Sequence, residues 1–556
     1  MAWRLGRIIR VILATLAVVL AVCVAYGLGS MPKVVSATEE AVFSAENVAK
    51  DLAVIAKEPH SVEHPQARDR VRSYLVDRLA ALGGNPRLYA YDSIAFRLGG
   101  YFDIANIYAE FEPESGPASS YVLFIAHLDS RYREQVLDST VYSYGAADDG
   151  YGLGTTLELL RVALQYRQDW SQGVKVLFTD SEENGLNGMK EAVEHNPELL
   201  ENVGFVINLE ARGVKGPALL FETGMGDSKV VDLYAEAAKY PVTYSLTTVV
   251  YKMMPNFTDF TVVKDQLPGM NFSCLDNIRY YHTDWDCFEN ISLPTIQHYG
   301  AQLEPMLQRY LTDANYACVD ALKSEDNSVY FTLPWVGLVK MTQTQNRWFA
   351  VVTALFCCLA FALHTKTRII RPKQVLCKTL YLLGWGLGIL LIGEGIAWLA
   401  ATCVGTPFNV AATKFIPGDT WIGLVAVLAV VASVAGIFVR RATKRPFFAN
   451  ETLVAITVLM TVLGLLMTFT LGENFFFMFP ALLSCIALIL CLFILFNYLS
   501  IVAVILVLLM ACSFCYNLFT ALTIGALGVV LMLVFFYAVV VVGLLENFIR
   551  VKVVND

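Results

Sequence analysis

Hydrophobic and polar positions follow two regimes along this chain of 556 residues. Up to about Ser328, short apolar runs alternate with polar turns and with stretches of helical spacing. From Trp348 to Leu545, long apolar runs follow one another almost without interruption. A further apolar run, Val11 to Leu28, precedes the first regime and is long enough to span a bilayer of about 30 Å. The pattern therefore predicts a soluble domain that lies between membrane-spanning parts.

Strands and helices alternate within the first regime. Tyr121 to Ile125, Val174 to Phe178 and Phe205 to Leu209 are uninterrupted apolar runs of strand length, the pattern of strands that are buried on both faces. Apolar residues recur at helical spacing over Asp69 to Leu82 and over Leu157 to Leu164. This alternation is typical of an α/β domain in which helices flank a mostly parallel mixed sheet.

The second regime predicts a polytopic α-helical membrane domain. Candidate spans lie at 348–364, 378–402, 420–439, 452–471, 476–495, 499–515 and 519–545. Basic loops follow at Lys366 to Lys373 and at Arg440 to Arg445, and three arginines, Arg4, Arg7 and Arg10, precede the first apolar run. Because basic loops tend to stay in the cytoplasm, we expect the soluble domain on the extracytoplasmic or lumenal side.

These patterns divide the chain into five segments. They are an N-terminal transmembrane anchor at 1–30, the soluble domain at 31–330, a linker at 331–345, the membrane domain at 346–546 and a cytoplasmic tail at 547–556. A cleavable signal peptide is the alternative for the first segment, since Gly27 to Ser30 supply small residues near a possible cleavage site. The length of the apolar run favours a retained anchor.

Composition supports the membrane assignment and gives no sign of nucleic-acid binding. Hydrophobic residues make up 56% of the chain and charged residues 16%, which is more apolar than soluble enzymes of this size. The formal net charge of -8 gives no reason to expect a nucleic-acid partner. One acid, Glu394, lies deep in a predicted span, where such a residue is either functional or hydrogen-bonded to a neighbouring helix.

Acidic and imidazole side chains occur where the predicted strands end and in the turns beside them. They are His127, Asp129, Asp148, Glu182, Glu183, Glu210 and His282. Since α/β folds place their chemistry at the carboxyl ends of parallel strands, one edge of the sheet is expected to gather them. Imidazole and carboxylate both bind zinc, and two neighbouring ions need a bridging carboxylate. A solvated loop explains any one of these residues alone, but explains the whole set less well.

Five motifs resemble, in the same order, those of the co-catalytic zinc aminopeptidases. They are His127-Leu128-Asp129-Ser130, Ala147-Asp148-Asp149-Gly150, Glu182-Glu183-Asn184-Gly185, Asn208-Leu209-Glu210 and Tyr281-His282-Thr283-Asp284. The segment around Asp259 resembles the start of a helix in that family. One anchor, a peptidase domain and a polytopic tail are similar to the layout of the endoplasmic-reticulum and vacuolar membrane metallopeptidases.

The resemblance implies the zinc-peptidase fold, two bound zinc ions and hydrolysis of the N-terminal peptide bonds of a peptide substrate. Asp148 would bridge both ions. His127 and Glu210 would complete one site, and Glu183 and His282 would complete the other. Many relatives carry aspartate where this chain has Glu210, and the carboxylate ligand is kept.

Further roles follow from the same resemblance. Glu182 would be the general base, Asp129 the acid that orients His127, and Asp259 a substrate-binding residue. The resemblance also implies a cis peptide bond between Asp148 and Asp149. In addition, a disulfide between Cys274 and Cys287 is possible, because the domain is expected in a compartment that permits it.

Three other interpretations stay open at this stage. Some proteins of this fold have lost their metals and serve as binding subunits, which the complete ligand set argues against. A single-zinc glutaminyl cyclase uses the same scaffold, but the intact pair of His127 and Glu210 favours two metals. The membrane tail could also be a transporter with an appended binding domain, and Glu394 is the residue that speaks for it.

Overall fold

The computed structural model describes residues 2–26, 31–136, 138–224, 226–252, 254, 256–411, 413–442, 444–445, 448–492 and 498–549. The chain forms two compact units. The sheet unit comprises Met31–Ser328, and the helical unit combines the N-terminal helix α1 (Ala2–Tyr26) with the chain from Val329 onward. Most of the predicted cytoplasmic tail, 550–556, lies outside the described residues.

A seven-stranded sheet forms the centre of the sheet unit. The strands of this unit are β1 (Arg87–Ala95), β2 (Tyr101–Phe111), β3 (Tyr121–His127), β4 (Glu134–Val136), β5 (Ser139–Val141), β6 (Gly173–Thr179), β7 (Val203–Ala211), β8 (Lys215–Thr223) and β9 (Gly269–Asp276). The order across the sheet is β1-β2-β6-β3-β7-β9-β8, and β4 and β5 form a separate hairpin. The four strands β6, β3, β7 and β9 are parallel, and β1, β2 and β8 join them in antiparallel pairs. The predicted mixed, mostly parallel sheet is confirmed.

The parallel strands are buried along their whole length. Every residue of β3, β6 and β7 is buried, which explains why each reads as an unbroken apolar run. Lys175 interrupts the apolar run of β6. Its ammonium group donates to the carbonyl oxygens of Leu199 at 3.3 Å and Glu201 at 2.7 Å, so the buried charge is compensated.

Helices pack around this sheet. They are α2 (Ala45–Ile55), α3 (Pro65–Ala81), α4 (Gly150–Ala163), α5 (Asn187–His195), α6 (Ser228–Ala237), α7 (Ser245–Lys252), α8 (Phe260–Val263) and α9 (Leu293–Thr312). The helix predicted over 157–164 begins earlier, because Asp149 accepts a hydrogen bond from the backbone N–H of Gly152 at 3.0 Å and caps the first turn. The glycines in this first turn interrupt the apolar spacing, so the sequence pattern did not predict it. A Cβ atom on Gly154 would stand 2.7 Å from Val48, so glycine lets α4 pack closely on α2.

The helical unit contains a short hairpin and a set of long apolar helices. Its further elements are β10 (Ser328–Leu333), β11 (Gly337–Thr342), α10 (Gln343–Lys366), α11 (Pro372–Val404), α12 (Asp419–Ala442), α13 (Phe448–Thr470), α14 (Phe475–Leu490), α15 (Leu499–Leu522) and α16 (Leu527–Ile549). The segment predicted as a linker, 331–345, thus contains strands and the start of α10.

Within the described residues, seven helices are long and apolar enough to cross a membrane. One of the eight predicted spans, 476–495, corresponds to α14, which has 16 residues. A helix of that length rises about 24 Å, less than the bilayer core of about 30 Å. Residues 493–497, which include the end of this predicted span, lie outside the described residues.

Helix α1 packs against other helices of its unit. The guanidinium group of Arg10 donates to the carbonyl oxygen of Phe548 at 2.9 Å. At the other end, the rings of Tyr26 and Tyr516 meet edge to face with their centroids 5.6 Å apart. Whether the segment is a retained anchor stays a prediction.

Glu394 in α11 lies against the first turn of α16. Its side chain lies beside Gly528, and both of its carboxylate oxygens are buried without a hydrogen bond among the described residues. A Cβ atom on Gly528 would stand 2.2 Å from the carbonyl oxygen of Leu390, so only glycine permits this close approach. Glu394 thus packs where α11 meets α16, and the choice between a functional role and a hydrogen bond to a neighbouring helix stays a prediction.

The possible disulfide between Cys274 and Cys287 is not formed, and both residues are free cysteines. Cys274 is buried in β9, and its thiol donates to the carbonyl oxygen of Gly213 at 3.0 Å. Burial raises the pKa of this thiol well above its ordinary value, so Cys274 acts as a packed neutral side chain.

Candidate metal centre

The carboxyl ends of the parallel strands carry the candidate site. His127 is the last residue of β3, and Glu210 is the next-to-last residue of β7. Glu182 and Glu183 follow β6 after a two-residue turn, and His282 follows β9 after a single turn of 3-10 helix. Asp148 lies in the connection between β3 and α4. Because these strands are neighbours in the sheet, residues far apart in sequence meet at one edge.

Two groups of three side chains could each hold a metal ion. The first contains His127, Asp148 and Glu210, and the second contains Asp148, Glu183 and His282. In each group the ligand atoms lie within 4.8 Å of one another. Asp148 belongs to both, since its Oδ1 lies 3.1 Å from Nε2 of His127 and its Oδ2 lies 3.4 Å from Nε2 of His282. The two oxygens of one carboxylate therefore face two different histidines.

Buried polar atoms in the second group fit a cation. In the described part of the chain, Asp148 Oδ2, Glu183 Oε1 and His282 Nε2 are buried without a hydrogen bond, although Nε2 approaches Oε1 to 2.9 Å. An unsatisfied buried polar group costs about 1–3 kcal/mol, so three converging ones call for a further partner. Imidazole and carboxylate are ligands that zinc accepts, and the donor set fits it.

Asp129 contributes to the site in two ways. Its backbone carbonyl oxygen is 2.8 Å from Nδ1 of His127, whereas its carboxylate Oδ1 is 3.6 Å away from the same nitrogen. The resemblance implied that the carboxylate orients His127, but the carbonyl of the same residue makes the hydrogen bond. The carboxylate Oδ1 accepts instead from the backbone N–H of Glu182 at 3.0 Å. With Nδ1 occupied as a donor, Nε2 of His127 is directed toward Asp148 as a ligand.

His282 is held in a rarely populated backbone conformation. Its φ is 64°, in the left-handed region that costs a non-glycine residue free energy. The imidazole stacks on the ring of Tyr281 with a centroid distance of 3.6 Å and an interplanar angle of 26°. The peptide bond between Asp148 and Asp149 is cis, as the resemblance implied.

Two charged residues that the sequence analysis did not single out hold the candidate ligands. The guanidinium group of Arg131 donates to Oε2 of Glu183 at 3.0 Å and to its backbone oxygen at 3.1 Å. Asp286 accepts from the backbone N–H groups of Ala147 at 2.7 Å and Asp148 at 3.2 Å. The sequence offered one signal for these two residues, because Arg131 directly follows the first motif and Asp286 lies two residues past the last one.

Electrostatics separate the two adjacent glutamates. Burial raises the pKa of Glu182 well above its ordinary value, and the neighbouring carboxylates, Glu210 foremost, add to the shift. Burial acts in the same direction on Glu183, but the positive charges of His282 and Arg131 bring its pKa well below the ordinary value. Glu183 is therefore the ionised ligand of the pair, and Glu182 is the stronger proton acceptor.

Asp259 contacts Thr179, the last residue of β6. The hydroxyl of Thr179 donates to its Oδ2, while Oδ1 is buried without a hydrogen bond in the described residues. Burial raises the pKa of Asp259 to about 6. Its charge also raises the pKa values of Glu182 and Glu210.

Comparison with known proteins identifies the sheet unit. The model of Peptidase family M28 matches residues 106–306, the segment that contains all five candidate ligands. This domain belongs to peptidase family M28. The predicted resemblance to the zinc aminopeptidases is thereby confirmed at the level of the family.

Membrane metallopeptidases are among the curated relatives of the M28 domain. Endoplasmic reticulum metallopeptidase 1 of Mus musculus is 29% identical over 285 residues, which cover 50% of this chain and 30% of the relative. The human protein of the same name is 31% identical over 242 residues, or 42% of this chain and 25% of that protein. Vacuolar membrane protease of Eremothecium gossypii is 27% identical over 328 residues, which cover 55% of this chain and 30% of that protein. The matched segments span less than a third of these relatives' lengths.

Solved structures resemble the M28 domain at low sequence identity. Glutaminyl cyclase of Porphyromonas gingivalis is 18% identical with a TM-score of 0.39, covering 49% of this chain and 99% of its own. A Zn-dependent exopeptidase of Parabacteroides distasonis is 21% identical with a TM-score of 0.37, and the match covers 47% of this chain and 97% of that protein. At these values the structures assign no activity to this chain.

Proposed function

We propose that this multi-pass membrane protein is a zinc aminopeptidase that removes N-terminal residues from peptides. The observation that carries the proposal is the placement of Asp148, whose two carboxylate oxygens each face a histidine-carboxylate group. A shared carboxylate between two such groups is the arrangement that two neighbouring metal ions need.

The ligand sets follow from this geometry. His127, Asp148 and Glu210 would hold one zinc ion, and Asp148, Glu183 and His282 would hold the other. When bound, the two ions supply Lewis acidity, which acidifies water and withdraws electrons from the scissile carbonyl. Glu210 and Glu183 each bring a negative charge that offsets the charge of the ions.

Glu182 is assigned the role of general base. Its carboxylate takes a proton from the attacking water as the oxygen–carbon bond forms, and passes it to the leaving amine as the carbon–nitrogen bond breaks. The raised pKa of Glu182 strengthens it as a base. The hydrogen bond from its backbone N–H to Oδ1 of Asp129, at 3.0 Å, holds its backbone in position.

An aminopeptidase must also recognise a free α-amine. The carboxylate of Asp259 is 1% exposed, and its Oδ1 makes no hydrogen bond in the described part of the structure. A cationic amine would satisfy this oxygen by a charge-assisted hydrogen bond. We therefore assign Asp259 to substrate binding, as the resemblance implied.

The test is an assay of the purified full-length chain with aminoacyl and peptide substrates, with and without chelator. We expect release of the N-terminal residue, loss of activity with chelator and recovery with zinc. An acetylated N-terminus should block the reaction, whereas unimpaired cleavage of the acetylated peptide would indicate an endopeptidase. Cyclisation of an N-terminal glutamine peptide without hydrolysis would indicate a glutaminyl cyclase. If the purified chain bound no zinc, the protein would be a binding subunit that has lost its metals.

The proposed topology makes a separate prediction. Residues 31–345 should lie outside the cytoplasm, because three arginines precede the apolar run that begins at Val11 and basic loops follow the second and fourth predicted spans. A tag inserted at Gly116, a half-buried loop residue whose Cβ would meet no atom within 4 Å, should be protected from cytosolic protease in intact organelles. At the cell surface, it should be cleaved by protease added outside. Cleavage from the cytosolic side would contradict the topology.

Arg131 should be required for firm metal binding although it is not a ligand. Arg131→Ala removes the two hydrogen bonds to Glu183, so we expect zinc affinity at one site to fall by about 10–100-fold, the range typical for such supporting partners. Arg131→Lys should recover part of it. Zinc titration of the metal-free chain measures the change.

Arg133→Ala is the matched control for Arg131. Arg133 is about half exposed and pairs with Glu63 at 3.3 Å, so its removal changes the net charge equally without touching a candidate ligand. Equal losses of zinc affinity in the two variants would show that general charge, and not the bond to Glu183, is responsible.

A further inference from the structure

Basic side chains gather at one end of helices α11, α12 and α13. Arg371 directly precedes α11, Lys378 lies in its second turn, and Arg441 is next to the last residue of α12. Glu451, 2% exposed in the first turn of α13, pairs with two of them. Its Oε1 is 3.0 Å from Nε of Arg371, and its Oε2 is 3.0 Å from Nζ of Lys378.

Two of these basic side chains lie over the ring of Phe448. Nζ of Lys378 lies 4.4 Å from the ring centroid, and Cζ of Arg441 lies 5.9 Å from it. Lys378 also donates to the carbonyl oxygen of Phe448 at 3.1 Å. Arg445 is tied to the same place by its backbone, since its N–H donates to the carbonyl oxygen of Arg441 at 3.0 Å and its carbonyl oxygen accepts from the N–H of Phe448 at 3.1 Å. The basic cluster thus consists of Arg371, Lys378, Arg441 and Arg445 around Phe448 and Glu451.

Positive charge exceeds negative charge within the basic cluster. Glu451 offsets two of the cations only in part, and neither Arg441 nor Arg445 makes an ion pair among the described residues. Like charges this close repel one another, more strongly beside a bilayer than in water because the dielectric constant is lower. An anion with several oxygen acceptors would relieve this repulsion, and arginine matches phosphate oxygens in pairs.

Apolar surface continues from the basic cluster along two of the helices. Leu376 and Leu380 of α11 are each 62% exposed, and Ile437 and Val439 of α12 are 50% and 62% exposed. A free phosphate ion would make no use of these side chains, whereas the acyl chains of a lipid would cover them. The arrangement of cations above an apolar surface therefore matches a molecule with an anionic head and apolar tails.

We propose that the basic cluster binds the phosphate headgroup of an anionic phospholipid, whose acyl chains lie along α11 and α12. Excess basic residues at cytoplasmic helix ends are common without any bound lipid. Here, however, Glu451 and Phe448 hold Lys378 inside the unit, so one cation of the cluster keeps a fixed position on a helix, and the side chain of Arg441 lies over the same phenylalanine ring.

The test measures binding of a fluorescently labelled phosphatidylserine to the full-length chain in neutral detergent micelles, with labelled phosphatidylcholine as the neutral comparison. We expect saturable binding of phosphatidylserine at least about tenfold tighter than that of phosphatidylcholine. Replacing Arg441 and Arg445 together by glutamine should weaken it by about 10–30-fold, since each basic residue near a membrane surface contributes roughly a fivefold gain.

The matched control replaces Lys366 and Arg368 together by glutamine. Both are exposed basic residues, Lys366 at the end of α10 and Arg368 in the loop before α11, and neither contacts Phe448 or Glu451 in the described structure. This variant should bind phosphatidylserine within about twofold of the parent, and both variants should keep the parent's melting temperature. Equal weakening in both would overturn the proposal in favour of non-specific attraction.

Soluble competitors distinguish the source of the phosphate. Millimolar inorganic phosphate should leave lipid binding intact, because it cannot replace the contacts of the acyl chains. Displacement by inorganic phosphate would overturn the lipid assignment and indicate a site for free phosphate. Equal affinity for phosphatidylcholine would overturn the role of the headgroup charge.

Discussion

Replacing Glu182 with glutamine is expected to lower turnover by about 10²–10⁴-fold while zinc content stays near that of the parent. Glutamine keeps the size of the side chain and removes its proton-accepting oxygen. Glu183→Gln should instead weaken one zinc ion, because Glu183 lies 2.9 Å from His282 in the second ligand group. Zinc per chain and initial rates, measured on the same preparations, separate the two outcomes.

Two further readouts make this comparison decisive. Excess zinc should partly restore Glu183→Gln and should not restore Glu182→Gln. In the parent, activity should fall with decreasing pH as Glu182 is protonated, at a higher pH than an ordinary glutamate, because burial raises its pKa. If Glu182→Gln lost zinc while Glu183→Gln kept it, the two roles would be exchanged. If neither substitution changed hydrolysis, the site would lie elsewhere.

Asp148→Asn is expected to remove both zinc ions and reduce hydrolysis to background. Asp148 is the residue shared by both ligand groups, and an amide supplies one neutral oxygen where the carboxylate supplies two charged ones. The loss of zinc affinity should exceed the roughly 10–100-fold effect of supporting residues. His127→Ala and His282→Ala should each weaken one ion, so zinc per chain measured by elemental analysis should fall from two to about one.

Asp284→Asn serves as the control for Asp148→Asn. Asp284 is exposed and lies two residues past His282, so the same change of charge occurs near the site without removing a candidate ligand. Its zinc content should match that of the parent. Retention of both zinc ions by Asp148→Asn would contradict the bridging role and require a different ligand set.

Candidate ligands could be found from the sequence because each follows a recognisable strand. An unbroken apolar run such as β3 ends in His127, and a strand end is a position where polar residues converge in parallel sheets. The partners of these ligands could not be found in the same way. Arg131 and Glu183 are 52 residues apart, and no local pattern says that the guanidinium group reaches the carboxylate.

The sequence by itself determined the parallel core and the membrane helices, because burial on both faces and contact with lipid each require long apolar runs. Only the tertiary structure decided which polar atoms meet. It showed that the Asp129 carbonyl, rather than its carboxylate, bonds His127, and that Glu394 faces the start of α16. Hydrophobic periodicity is a local property of the chain, whereas distances between polar atoms depend on how separate strands and helices pack.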